Sequence, residues 1–285
     1  MSRRRLDLRG ATVLVTGGAN GIGAAGAQRL AARGARVALV DVDEAGLAAT
    51  AAALGDQARA FPGSVADLAR MKEIVDEALR WSGRLDVVWA NAGIAAEPPT
   101  TVALISEAEF ERVVEIDLLG VWRTVRAALP AIQAAKGHIL LTGSIYAFAN
   151  GMVNAPYAAS KAAVESLGRS LRAELAGTGT TAGVLYPGWI ETGIVQSSRH
   201  VDPIAIELTA IGFPGPLGRL VPPEDLVAAA VRGIERRSAR TIYPRPYVPY
   251  SILRGVFNPL IDAGIDRHRR VQRLVRQLED ARRDA

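Results

Sequence analysis

Tyr157 and Lys161 stand four residues apart in Tyr157-Ala158-Ala159-Ser160-Lys161. On a helix such a pair shares one face, so a phenol and an ammonium point into the same space. Together they can handle a proton. A free tyrosine, with a pKa of about 10, is a poor base at neutral pH. A neighbouring positive charge favours the phenolate. Moving a tyrosine from about 10 to about 7 corresponds to about 4 kcal/mol of differential stabilisation. It would put the base near operating pH, where proton transfer is efficient. The expectation is therefore a lowered Tyr157. Only Lys72, Lys136 and Lys161 break an otherwise all-arginine set of basic residues, so a compact ammonium at position 161 stands out. By itself the pair is common on helix surfaces; its meaning depends on what the rest of the chain brings to it.

The elements that would position it alternate regularly. Ala11 to Val15 reads as a buried strand, followed by Thr16-Gly-Gly-Ala-Asn-Gly-Ile-Gly23, an alanine-rich helix stopped at Gly34, and a second strand from Arg36 to Val40. This is a βαβ unit. Gly17 permits a tight turn, Gly21 a close approach of backbone to a pyrophosphate seated on the helix N-terminus, and Gly23 close helix–strand packing. Asp41 ends the second strand, where a carboxylate accepts hydrogen bonds from a ribose diol and repels a 2′-phosphate. Neither Val42 nor Asn20 offers a cation for that phosphate, so NAD is favoured over NADP. Further strands are expected near Arg59–Phe61, Leu85–Ala90, His138–Thr142, Gly183–Tyr186 and Thr241–Tyr243, with helices between, including a long one from about Ser106 past Val125. Asp67 is a plausible cap for a helix from Leu68. This rhythm predicts an α/β fold, a Rossmann-like doubly wound parallel sheet of about seven strands flanked by helices. The stretch 193–222, rich in proline and glycine, reads as an irregular substrate lid.

Five motifs carry a family likeness: Thr16-Gly17-x-x-x-Gly21-x-Gly23, Asn91-Ala92-Gly93, Ser144, Tyr157-x-x-x-Lys161 and Pro187-Gly188-x-x-x-Thr192. In order and spacing, from about residue 8 to 243, the chain resembles the short-chain dehydrogenase/reductases. The resemblance implies Tyr157 as catalytic acid/base, Ser144 as the group orienting the substrate oxygen, and Lys161 as the group that binds the nicotinamide ribose and lowers Tyr157, alongside the charge of the nicotinamide ring. It implies that Thr192 and the Ile190 backbone hold the carboxamide and that Asn91 to Gly93 pass beside the adenosine. Asn20, Ile22, Ser64, Val65, Pro187 and Gly188 complete the expected cofactor set. Three positions depart from the pattern. Asp117, in Asp117-Leu-Leu-Gly120, replaces the asparagine that anchors a proton relay; Ser64 replaces an adenine-contacting aspartate; and Ala90 replaces an asparagine that braces the sheet.

Ile145, Tyr146, Phe148, Met152 and Trp189 are expected to face the substrate. They are mostly apolar and no cluster of basic residues accompanies them, which points to a hydrophobic secondary alcohol or ketone. The primary expectation is an NAD-dependent oxidoreductase. NADPH-dependent carbonyl reduction, or a non-catalytic dinucleotide-binding sensor or scaffold, are the alternatives.

The chain has no cysteine, which suits a reducing, cytoplasmic setting, and its three histidines lack metal-ligand spacing. The N-terminal arginines precede no long apolar run, so no signal peptide or membrane span is expected. The formal charge of +5 is uneven: 13 Arg against 6 Asp and Glu lie from Arg232 onward. That argues for a basic tail rather than a nucleic-acid binder. Residues 1–244 read as one catalytic domain and 245–285 as a basic helical extension. Its stripe Val271, Leu274, Val275, Leu278 has helical spacing. One reading docks this stripe on its own or a neighbouring subunit; the other lays the extension on an anionic membrane surface. A homo-oligomer, dimer or tetramer, is expected.

Overall fold

The computed structural model describes residues 5–191 and 202–283. Its centre is a seven-stranded sheet in the order β3-β2-β1-β4-β5-β6-β7. The strands are β1 (Thr12–Thr16), β2 (Arg36–Asp41), β3 (Ala58–Pro62), β4 (Val87–Ala90), β5 (His138–Thr142), β6 (Thr181–Pro187) and β7 (Arg240–Tyr243). Every pairing is parallel. Because helices cover both faces, the inner strands are buried throughout rather than alternating, with β1, β4, β5 and β6 buried at every residue.

Each face has its own core. One gathers Leu14, Val88, Leu141 and Val184 against α3 (Leu68–Ser82), α5 (Val121–Ala134) and α6 (Ala155–Glu174). The other gathers Val13, Val15, Leu39, Trp89 and Leu185 against α1 (Gly21–Ala31), α2 (Glu44–Leu54) and α8 (Pro223–Arg236). Chain order reverses between β1 and β4, which opens a crevice at the carboxyl ends of these strands. Asp67 caps α3 by accepting from Arg70 N at 3.0 Å.

Two expectations change. The long helix is not continuous: α4 (Glu107–Val114) runs into a π-helical segment, Glu115–Gly120, before α5. The wider turn shifts the register around Asp117, as such turns do near functional sites. The lid is also not all irregular. Residues 203–212 form α7 (Pro203–Gly212), because Pro203 suits the first helical position and Asp202 accepts from Ile204 N at 2.8 Å. The part of the expected lid at 193–201 lies outside the described residues.

The C-terminal extension folds as two helices, α9 (Tyr247–Arg267) and α10 (Arg269–Arg283). Val271, Leu274 and Leu278 of α10 are buried against Ala205 and Leu208 of α7 and Val153. The stripe is thus covered by its own chain, and the reading that lays it on a membrane fails for α10. Polar ties reinforce the docking: Arg282 to Asp202 at 3.0 Å, Arg270 to Glu207 at 2.7 and 2.9 Å, and Thr101 Oγ1 donating to Glu279 at 2.8 Å. α9 anchors by its start. Tyr247 is buried with its hydroxyl donating to Leu217 O, and Tyr250 packs edge-on against Phe148. Beyond that, Ile252, Leu253, Val256, Phe257, Leu260 and Ile261 remain exposed along one helical face. Among the described residues no helix is long and apolar enough to cross a membrane.

Candidate active site

Lys161 and Asp117 meet at the floor of the crevice. Lys161 Nζ lies 2.9 Å from Asp117 Oδ2, with the side chains 2% and 0% exposed. The approach leaves Oδ2 without a well-directed hydrogen bond, so the contact is chiefly ionic. Ile94 N donates to Asp117 Oδ1 at 2.7 Å, and Lys161 Nζ approaches Thr142 O at 3.4 Å. Gly93 makes room for the pair: a Cβ there would sit 3.1 Å from Lys161 Nζ and 3.2 Å from Asp117 Oδ2.

Tyr157 lies one helical turn before Lys161 on α6, with the ammonium 5.3 Å from its ring centroid. Ser144, just past the end of β5, is buried and, like Tyr157, lines the cavity; its hydroxyl accepts from Tyr146 N at 3.2 Å. The electrostatics differ from expectation. Burial pushes the Tyr157 phenol above the ordinary tyrosine value; Lys161 and the Ser144 hydroxyl pull it down, while Asp117 pushes it up. The sequence predicts a lowered phenol with the nicotinamide charge beside it, and does not reveal that the packing around this partly buried ring and the Asp117 charge both act against the ammonium. Burial opposes the charge on Lys161, yet Asp117 and Tyr157 outweigh it and hold the ammonium above its usual value. Desolvation raises the Asp117 carboxyl against the pull of Lys161.

A groove of about 500 Å³ lies over the crevice. Gly17, Asn20, Gly21, Ile22, Asp41, Ser64, Val65, Asn91, Ala92, Gly93, Pro187, Gly188 and Ile190 all line it, together with Tyr157 and Lys161. Thr192 lies outside the described residues. Gly23 lies beneath: a Cβ there would come within 1.8 Å of Gly17 O, so only glycine lets α1 approach β1 this closely. Asn20 makes no side-chain cap, leaving the N-terminal end of α1 to face an anion. Backbone N–H groups of Ala19, Val42 and Asp43 fix the Asp41 carboxylate at 3.0, 2.8 and 3.1 Å. A carboxylate has about four acceptor sites, so a ribose diol can still bond to it. Among the described residues, the cations lining the groove are Lys161 and Arg112. Arg112 is held bidentately by Glu109 at 2.7 and 2.8 Å. These residues suit a dinucleotide with a free adenosine ribose.

The loss expected from Ala90 is made good nearby. Asn91 Nδ2 donates to Thr16 O at 3.1 Å, while its Oδ1 accepts from Thr142 Oγ1 at 3.1 Å. Trp89 Nε1 donates to the same threonine at 2.9 Å. Thr16 and Thr142 thus lock β1, β4 and β5 together beneath the site, a role the sequence did not flag.

Beside the groove is a cavity of about 420 Å³ that shares Tyr157 with it. Ser144, Ile145, Tyr146 and Trp189 line this cavity as expected. Phe148 and Met152 do not. The 3₁₀ turn Ile145–Ala147 carries Phe148 into the core against Tyr186 and Tyr250, and Met152 packs into the cluster around α7 and α10. In their place stand Val153, Asn154, Phe213 and the α7 residues Ala205, Ile206, Thr209 and Ala210. Tyr146, Trp189 and Phe213 form an edge-to-face box with centroids 5.4 to 5.9 Å apart. Tyr146 also meets Tyr157 edge-on at 5.8 Å. The helical signature of α7, a capping Asp202 before Pro203, was the signal that could have found these walls.

The family model for short chain dehydrogenase matches residues 11–202. This chain belongs to the short-chain dehydrogenase family. It is 36% identical over 228 residues to the oxidoreductase asL5 of Sarocladium schorii, covering 78% of this chain and 88% of that one. It is 37% identical over 220 residues to the cis-4-hydroxycyclohexanecarboxylate dehydrogenase of Sinomonas cyclohexanicum, covering 76% and 86%. A short-chain dehydrogenase/reductase from Burkholderia phymatum, solved in complex with NAD, superposes with a TM-score of 0.78 at 24% identity, over 90% of this chain and 96% of that one. The short-chain dehydrogenase described here is therefore an oxidoreductase that acts on CH–OH groups with a nicotinamide cofactor.

The Asp117–Lys161 pair yields a test. Asp117→Asn removes a negative charge that disfavours the Tyr157 phenolate, so the rising limb of kcat/KM for alcohol oxidation should move to lower pH. A limb at unchanged pH would show that Asp117 does not tune Tyr157.

Proposed function

We propose that this enzyme interconverts a hydrophobic secondary alcohol and its ketone, using NAD and taking Tyr157 as acid/base. One observation carries the proposal: Tyr157 lines both the dinucleotide groove and the apolar cavity, so a single phenol faces both reactants. When bound, the cofactor accepts hydride from the carbinol carbon and brings a positive charge beside a phenol that the chain holds above its ordinary value. Removing the alcohol proton then falls to Tyr157, with Ser144 donating to the reacting oxygen. Lys161 orients the cofactor ribose and stabilises the phenolate. Asp117 keeps the relay position beside Lys161 and passes the proton onward. Asp41 supports NAD over NADP, since its neighbours Val42 and Asn20 bring no cation to neutralise a 2′-phosphate. The intact Ser144, Tyr157 and Lys161 set weighs against a non-catalytic sensor.

We also assign roles outside the site. Residues 1–244 form the catalytic unit, and the extension from 245 clasps the lid. Phe110, Leu119 and Trp122 are exposed apolar side chains suited to contact with a second copy in a homo-oligomer. A cysteine-free chain suits the reducing cytoplasm. There the exposed face of α9 would rest on an anionic membrane surface. Arg245, Arg267 and Arg269 stand exposed just beyond the ends of this apolar face, and their positive charges complement an anionic surface.

Tyr157→Phe should lose about 10²- to 10⁴-fold in turnover while still quenching and shifting NADH fluorescence on binding; retained turnover would remove Tyr157 from the chemistry. With wild-type enzyme, kcat/KM for NAD should exceed that for NADP. Asp41→Ala should narrow the gap, and an unchanged ratio would locate cofactor choice elsewhere. Vesicles containing phosphatidylserine should sediment the wild type but not an Ile252→Asp, Leu260→Asp double variant. Equal sedimentation of both would contradict the membrane contact.

A further inference from the structure

Arg219 is the one charged side chain among the described residues lining the apolar cavity. It is exposed, so it sits where the cavity meets solvent. It also has no acidic partner among the described residues. The acids of α7 are already engaged, Asp202 by Arg282 and Glu207 by Arg270. Glu191, brought close by the bond of its N–H to Val221 O, and Glu224 and Asp225, a few residues on in sequence, make no ion pair with it among the described residues. Residues 192–201 contain neither Asp nor Glu, so that stretch cannot supply one. The cavity therefore has a chemical polarity. Tyr157 and Ser144 line it, Tyr146, Trp189, Phe213, Val153 and Ala205 give it apolar walls, and the exposed guanidinium of Arg219, with no ion pair among the described residues, lines it too.

We propose that the substrate is a hydrophobic alcohol or ketone carrying a carboxylate remote from the reacting carbon, and that Arg219 binds that carboxylate. This rests on the alcohol–ketone reading given above. An arginine presents a planar fork of donors that matches a carboxylate in bidentate fashion. Placed at the mouth, it leaves the anion partly solvated, so the carboxylate need not be stripped of water. The apolar body then fills the aromatic box, and the length between the two ends selects which carbon meets Tyr157. Uniform binding of this kind lowers KM and leaves kcat nearly untouched. Sequence alone did not reveal the residue, because a lone arginine in a proline-rich segment forms no cluster and its position on the cavity depends on the fold.

The test compares 4-oxocyclohexanecarboxylate with its methyl ester as substrates for NADH-dependent reduction. Wild type should favour the acid by about 10-fold or more in kcat/KM, the worth of one charge-assisted hydrogen-bond pair, and the difference should lie in KM. Arg219→Ala should bring the ratio near one, Arg219→Glu should reverse it, and Arg219→Lys should keep part of it. In parallel, calorimetry measures binding of both compounds to NADH-loaded Tyr157→Phe, which reports recognition without chemistry. Acid-selective binding that depends on Arg219 supports the carboxylate site even where neither ketone is reduced, in which case the alcohol–ketone reading alone fails. Equal binding of acid and ester, or acid preference that survives in Arg219→Ala, overturns it.

Discussion

The ammonium of Lys161 and the carboxylate of Asp117 face each other at 2.9 Å with almost no access to solvent. Either ion alone would cost several kcal/mol to bury, so each requires the other, and both require the polar groups that converge on them. Those groups come from separate elements: Ile94 from the loop after β4, Thr142 from the end of β5, Asp117 from the π-helical turn and Lys161 from α6. Gly93 leaves the space in which they meet. The pair is thus a junction. It holds the floor of the crevice in place and sets the potential at Tyr157, one turn along the same helix.

That potential is balanced. The ammonium favours a phenolate, while the neighbouring carboxylate and the buried setting favour the neutral phenol. The chain by itself favours the neutral phenol of Tyr157, and on the proposed reading the positive charge of a bound oxidised cofactor would tip the balance. A base released only in a ternary complex would spend little time as an exposed charge, which accords with the aromatic walls of Tyr146, Trp189 and Phe213. α7 and Leu217 owe their positions to residues far along the chain. α10 covers α7, and Tyr247 at the start of α9 ties down Leu217, so the extension contributes to the cavity without touching its contents.

Much of this was legible in the sequence because it depends on local pattern. The buried strands, the glycine turn before α1 and the aspartate closing β2 follow from short-range spacing, and the groove residues follow from where such a sheet must open. What escaped depends on geometry between segments. The π-helical turn is a one-residue slip that leaves no mark in hydrophobic periodicity, yet it directs Asp117 at Lys161. Phe148 and Met152 lie close to Ser144 in sequence, but a 3₁₀ turn sends one into the core and the other toward the lid. Prolines in 203–222 suggest irregular chain, whereas Pro203 occupies the start of a helix. The packing around the partly buried Tyr157, and so the direction of its titration in the chain alone, could come only from the fold.

The central claim is that Tyr157 is held neutral by the chain and released by the cofactor. Carbon-13 labelling of tyrosine Cζ, with Tyr157 assigned by difference from Tyr157→Phe, allows its titration to be followed in the free enzyme and with NAD bound. The account predicts a midpoint above that of an ordinary tyrosine in the free enzyme and a clear fall on adding NAD. A midpoint already below the ordinary value without cofactor, or one that NAD leaves unmoved, would contradict it.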